Sequence, residues 1–233
     1  RGRARVGGAG RSVLAGRWAS TEPLYARAPG AGEQAQARAE LLLERHGIVT
    51  RGAAIADGTP GGFAAVYPAL AQMEITGACR RGYFIDGLGG AQFAVPGAVD
   101  RLRDMRPGGQ GDATTLVLGA ADPAQPYGAS LPWPAHGSGR TPSRQHGAHV
   151  VTRGGRPVLY VERGGRGLVT FDGAEDHDVD AALAGLTGWV TADRSRVLRP
   201  ERVNGEAVTG SAWEERLVAA GFRRDLRGVI LRA

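Results

Sequence analysis

Arg80 and Arg81 stand directly before Tyr83 and Phe84. Two guanidiniums beside two aromatic rings suit contact with a nucleic-acid strand, because the charges meet phosphate oxygens and a ring stacks on a base. The same residues also suit a solvated strand edge above a core-facing phenylalanine, so the pattern leaves both readings open. Upstream, the turn Gly58-Thr59-Pro60-Gly61-Gly62 precedes an apolar segment. Backbone N–H groups of such a turn can meet a phosphate at a helix N-terminus, or simply make the tight turn of a helix-turn-helix. Thr59, Gly61, Gly62, Arg80, Arg81 and Tyr83 form the candidate DNA-binding set.

A second kind of chemistry is suggested by Asp122-Pro123-Ala124-Gln125-Pro126-Tyr127-Gly128. Cleaving an N-glycosidic bond needs a carboxylate that stabilises an oxocarbenium-like state and positions water, with aromatic partners for a flipped base. Asp122 is the candidate catalytic residue, with Tyr127 and Trp133 as stacking partners. The plainer alternative makes Asp122 a turn cap and Trp133 a core residue. His136, His146 and His149 lie close in sequence but match no zinc spacing, so no metal site is expected. His177, flanked by Glu175, Asp176 and Asp178, reads as the acidic start of a helix, where carboxylates suit the positive dipole end.

Composition bounds these options. The chain has 233 residues, 42% of them hydrophobic, with 38 Gly and 13 Pro. That allows one large domain or two small ones with many turns. The net charge is +6, and all 29 basic residues are arginine. A basic balance favours an anionic partner, and the arginine fork pairs bidentately with phosphate or guanine. Without lysine there is no G-x-x-x-x-G-K-[ST] loop, so these residues hold no ATPase site of that type. Cys79 is the one cysteine; it allows no internal disulfide and points to a reducing, cytoplasmic setting. No apolar run is long enough to span a membrane. The chain opens on a basic, Gly-rich stretch without an initiator Met, and reads as the C-terminal part of something longer.

The elements that must position these residues follow from periodicity and punctuation. Residues 1–20 read as a linker and an anchor segment around Trp18. Helices are expected at Glu33–His46, Arg51–Ala56 (capped by Thr50) and Phe63–Thr76, where Pro68 should cause a bend or mark a late start. A hairpin follows, Arg80–Ile85 with Ala91–Val95, then a helical turn at Ala98–Met105. Three helices and a hairpin in this order make a winged helix over residues 21–106. After a linker at Pro107–Asp112, residues 112–233 become strand-rich: Thr114–Leu118, Ala148–Arg153, Pro157–Arg163, Gly167–Phe171, then a helix Asp178–Trp189, a hairpin at Asn204-Gly205, a helix Ala212–Ala220 capped by Ser211, and a strand pair in Phe222–Leu231. The expected class is α+β, a winged-helix domain followed by a barrel-like α+β domain.

Several of these segments, in order, resemble the Lhr (large helicase-related) family of bacterial proteins: Gly16-Arg17-Trp18, Gly61-Gly62-Phe63-Ala64-Ala65-Val66-Tyr67-Pro68, Arg80-Arg81-Gly82-Tyr83-Phe84, Gly87-Leu88-Gly89-Gly90-Ala91-Gln92-Phe93, Ala121–Gly128 and Leu131-Pro132-Trp133-Pro134. The resemblance covers nearly the whole chain. It implies an ATP-dependent 3′-to-5′ DNA helicase of DNA repair as the parent, with ATP and Mg²⁺ in motor domains upstream of this region. It also implies a C-terminal extension similar to AlkZ-type DNA glycosylases, with winged helices before a β-barrel and oligomers in some members. The glycosylases' Gln-x-Gln pair has one echo here, Gln34-Ala35-Gln36, at a helix start away from the barrel.

Three functions compete at this level. The favoured one is a DNA-binding and assembly region without its own motor, acting on single-stranded or tailed duplex DNA beside the upstream helicase domains of the same chain. The alternatives are a uracil-excising glycosylase module and a purely oligomerising module that holds copies together. No cofactor is expected in these residues.

Overall fold

The computed structural model describes residues 19–26, 28–105, 114–137, 140–193 and 196–233. The expected Trp18 anchor and the linkers at residues 1–10 and 107–112 lie outside the described residues. A short helix, α1 (Glu22–Tyr25), carries no buried residue.

The first unit is a three-helix arrangement closed by a small sheet. α2 (Ala31–His46) starts two residues ahead of the expected point because the Gly30 N–H donates to the Glu33 carboxylate at 2.9 Å, which caps the helix from the glycine. It ends at Gly47, whose positive φ of 67° suits a residue without a side chain. β1 (Ile48–Val49) leads into α3 (Arg51–Ala56), capped by Thr50 Oγ1, which accepts the Ala53 N–H at 3.1 Å. α4 (Gly62–Ile75) buries Val66, Leu70 and Met73 against Ala39, Leu42 and Leu43 of α2. Pro68 does not delay its start. Pro68 and Ala64, one turn earlier, are both exposed, so the carbonyl that loses its N–H partner there faces water. β2 (Arg80–Gly82) and β3 (Gln92–Ala94) form the wing hairpin, with β3 between β1 and β2 in an antiparallel sheet. The rings of Phe63, Tyr67 and Phe93 meet at 5.6–6.2 Å and join α4 to that sheet. α5 (Ala98–Asp104) closes the unit.

The second unit is built on a six-stranded sheet. Its strands are β4 (Thr115–Gly119), β5 (His149–Arg153), β6 (Arg156–Val161), β7 (Gly167–Thr170), β9 (Arg202–Val203) and β10 (Glu206–Ala207), in the order β10-β9-β7-β6-β5-β4. Alternate residues serve two cores. Val151, Leu159, Val161 and Leu168 face α6 (Asp176–Thr191), which lays Val179, Leu183, Leu186 and Val190 on them. Val150, Tyr160, Val169 and Phe171 face the other way, under Trp133 and the segments between β4 and β5. Burial on both faces explains why β6 reads as a continuous apolar run from Pro157 to Val161.

The sheet is open, with β4 and β10 as its edges, and not the curled barrel expected from the strand count. Two features keep it open. α6 fills the face over which strands would have to curl. The chain also returns from α6 to pair β9 parallel to β7, extending the sheet sideways. Three remaining strands, β8 (Val197–Leu198), β11 (Arg223–Asp225) and β12 (Gly228–Arg232), make a separate sheet ordered β11-β12-β8, with α7 (Ala212–Ala219) beside it. Residues 197–203 are therefore divided between two sheets at Arg199-Pro200. The hairpin at Asn204-Gly205 forms as expected, with φ of 52° and 83° at its two turn residues.

Leu183 is fully buried between α6 and the sheet. Leu183→Ala should lower unfolding free energy by about 2–5 kcal/mol, read as a shift in the urea midpoint with little change in slope.

Candidate nucleic-acid interface

The wing is the most exposed reactive feature of the first unit. Tyr83 is 84% exposed at its start. The side chain of Arg80, exposed on β2, forms no hydrogen bond or ion pair among the described residues. Arg81 is differently placed. Its guanidinium donates to Tyr67 Oη at 2.7 Å and pairs with Glu74 at 3.0 Å, so it ties the wing to α4. The Tyr67 hydrogen bond and the Glu74 charge raise its pKa further above the ordinary arginine value. Phe84 turns inward beside Ile48, Ala94 and Ala98.

The loop between the strands is held by Gln92, which is fully buried. Its Oε1 accepts the N–H groups of Phe84 (3.0 Å) and Ile85 (2.9 Å). Its Nε2 donates to the carbonyls of Ile85 (2.9 Å) and Leu88 (3.0 Å). One amide side chain thus satisfies four backbone groups of an irregular segment. Sequence reasoning passed over Gln92 as a strand residue inside a family-like motif.

The Gly58–Gly62 turn is placed where a helix-turn-helix needs it, but most of its donors are already engaged. The N–H groups of Gly58, Thr59 and Gly62 donate to Ile55, Ala54 and Thr59 carbonyls at 2.8–3.0 Å, and Pro60 has no N–H. The first two close α3 and the third closes the turn itself, so they do not form the row of outward donors that a phosphate cradle requires. Gly61 takes a φ of 74°, and a Cβ there would lie 2.8 Å from that of Ala65. The outward face of α4 carries Ala64, Ala65, Pro68, Gln72 and Ile75, without a charge. Residues 28–105 hold seven arginines against eight carboxylates. The first unit is therefore slightly acidic, and Arg80 on β2 is one of several exposed arginines in it, with Arg51 and Arg101, that form no ion pair among the described residues.

The Asp122 segment is a folded loop on the second face of the large sheet. Asp122 itself is exposed, and its Oδ1 accepts the Ala124 N–H at 2.8 Å, the geometry of a turn cap. Gln125 is fully buried; its Nε2 donates to Ala120 O at 3.1 Å and Tyr127 O at 2.9 Å, and its Oε1 accepts the Tyr127 N–H. The Arg144 guanidinium reaches the same loop from outside and donates to the carbonyls of Ala121, Asp122, Gln125 and Tyr127. The rings expected to stack a flipped base are engaged within the fold. Trp133 lies between Tyr127 (6.3 Å) and Phe171 (5.9 Å), and Tyr127 Oη donates to Gly155 O. The structure thus brings Asp122, Tyr127 and Trp133 into one loop system but gives them structural partners.

The other candidates separate. His136 packs on Phe171, His146 is exposed, and His149 lies tilted against Trp189 with ring centroids 4.6 Å apart. Burial first, and the Arg196 charge second, hold His149 below the ordinary imidazole value. Among the described residues no three His, Cys, Asp or Glu groups converge as a metal site. Asp176 and Asp178 fall in the first turn of α6, where Asp178 is buried and pairs with Arg153 at 2.8 Å. Gln34 and Gln36 bond to Pro29 and Glu40 around α2, apart from the sheet. Cys79 is buried, and desolvation raises its pKa.

The two units meet at α3. A Cβ on Gly52 would lie 2.7 Å from the Ser130 carbonyl oxygen, so the glycine permits the contact. Beside it a cleft of about 880 Å³ opens, with Ile85 and Leu88 of the wing loop on one wall and Pro123, Pro126 and Arg144 on the other.

With this geometry the chain compares with known proteins as follows. The model of the large helicase-related protein winged-helix domain matches residues 28–114. A protein of Mycolicibacterium smegmatis named Lhr helicase/probable uracil glycosylase is 44% identical over 234 residues, covering 94% of this chain. One of Escherichia coli K12 named Lhr helicase/uracil glycosylase is 41% identical over 220 residues, covering 93%. The chain spans 15% and 14% of the lengths of these two relatives.

Replacing Gln92 by Leu would leave four partly buried backbone groups without partners. We expect a loss of about 2–4 kcal/mol in unfolding free energy, together with faster amide hydrogen exchange at Phe84 and Ile85. Unchanged exchange there would show that the wing is held by something else.

Proposed function

The chain belongs to the large helicase-related family, and from that premise we propose that it is a DNA-engaging region of a longer Lhr-type helicase acting in DNA repair, one that contributes no ATP chemistry of its own. The observation that carries this reading is the wing: an exposed Tyr83 beside an unpaired Arg80, on a hairpin kept rigid by Gln92 and by the Arg81–Glu74–Tyr67 contacts. A rigid strand presenting one ring and one charge suits a single strand or the mouth of a tailed duplex, where the ring stacks on an unpaired base and the guanidinium meets the adjacent phosphate. Reading base edges in a duplex major groove takes polar or charged side chains on the inserted helix. The outward face of α4, with Gln72 its one long polar side chain, offers little for that.

In this reading the motor lies in other domains of the parent protein, which would hydrolyse ATP with Mg²⁺. This region would hold the strand they deliver. Arg81 and the Gly58–Gly62 turn serve the shape of the unit, while Arg80 and Tyr83 touch DNA.

Anisotropy of a labelled tailed duplex tests this. Affinity should fall linearly on a log–log salt plot. Tyr83→Ala should cost about 1–3 kcal/mol of binding with the salt slope unchanged. Arg80→Ala should lower that slope by about 0.7 for a single-strand contact. Absence of binding at low salt sinks the reading.

Uracil excision is a second reading, favoured because both relatives carry glycosylase in their names and match nearly all of this chain. Incubation with uracil-containing DNA, followed by alkaline cleavage of abasic sites, tests it. Since Asp122 caps a turn, Asp122→Asn should leave any such activity within about twofold of the parent, well short of the 10²–10⁴ that a positioned acid or base contributes.

A further inference from the structure

The second unit holds a separate concentration of charge. Residues 114–222 have eleven arginines against twelve carboxylates, whereas residues 223–233 have four arginines against one. That excess sits on the β11–β12 hairpin. Asp225 pairs with Gly228, which leaves Leu226 and Arg227 as a two-residue tip. Asp225 stiffens the tip by accepting the Leu226 N–H at 2.6 Å, and Arg199 engages the same carboxylate at 2.7 Å. Leu226 is fully exposed.

The register assigns the faces of this small sheet. Val229 and Leu231 are buried, so Ile230 and Arg232 lie on the opposite face. Arg223 is paired across from Ile230, and Val197 across from Arg232, so both join that outward face. Val197 is about half exposed. Arg224, on the inward side, is bound to Glu214 and Glu215 of α7 and fixes the hairpin. Among the described residues Arg223 and Arg232 form no ion pair, and Arg227 acts on Asp225 as a nearby charge. Charge on an edge strand can serve merely to prevent pairing with another sheet. That accounts for Arg223 on β11, but not for Arg232, which lies on the central strand, nor for a leucine held at a stiffened tip.

We propose that the outward face of β8, β11 and β12, with the Leu226-Arg227 tip, is a second DNA-contact surface. In it Arg223, Arg227 and Arg232 meet successive phosphates and Leu226 lies against a base. Alternation of guanidiniums with apolar side chains is the pattern that tracks a backbone and covers unstacked bases, and an apolar tip flanked by arginine is suited to enter a base step. The proposal rests on the reading of this chain as a DNA-engaging region, but not on the wing.

The test uses the whole chain with the same labelled tailed duplex. The double variant R223A/R227A should lower the salt slope by about 1.4 and weaken binding several-fold at low salt. Leu226→Ala should weaken binding without moving the slope. These side chains are exposed, and an unchanged thermal melt confirms that the variants fold. If the hairpin variants bind as the parent does while Tyr83→Ala loses affinity, the proposal fails and the wing reading stands. If only the hairpin variants respond, the wing reading fails and this one stands. A parent chain that does not bind overturns both. If light scattering shows that the hairpin variants break an oligomer while binding per protomer is kept, the face joins copies of the chain, and the proposal is again overturned.

Discussion

A backbone group buried away from water must find a partner, and two glutamines meet this demand where regular structure does not. Gln92 serves the loop of the wing, and Gln125 serves the loop that follows β4. Both are fully buried with every polar atom engaged. Each lets an irregular segment keep one shape without a helix or ladder to support it. Arg144 extends the principle, with one guanidinium shared among four carbonyls of the second loop. The two loops face one another across the cleft between the units, so the shape of that cleft follows from these side chains.

Charge is distributed differently from what a net value of +6 suggests. The winged helix and the body of the second unit are each close to neutral, and several of the second unit's arginines are matched to carboxylates, as Arg153 to Asp178 and Arg216 to Asp176 and Asp180. Unmatched arginines stand out against such a background. A winged helix whose α4 face is small and uncharged departs from the habit of docking that helix into a groove, which moves attention to its wing.

Much of the fold was legible before the structure. Helix periodicity, the Thr50 and Ser211 caps and the Asn204-Gly205 turn are local signals, and each element formed where its signal lay. Closure of the sheet was not legible, because it depends on the non-local parallel pairing of β7 with β9 and on which face α6 covers. The candidate site was legible only in part. Arg80 and Tyr83 could be picked out by type. That Arg81 is tied to α4 could not, since its partners Tyr67 and Glu74 come from another element. Gln92, Gln125 and Arg144 look like surface residues in a sequence, and nothing local announces that loops will fold over them.

Gly52 has a bearing on how separable the two units are. Glycine within a short helix weakens it by about 0.5–1 kcal/mol relative to alanine, yet here the bare backbone is the surface against which Ser130 rests. A winged helix cut free between residues 105 and 114 would expose that facet of α3 to water with no side chain to shield it. The unit is thus a building block with one unfinished wall. What resembles a free-standing module in sequence is, in architecture, half of a joint.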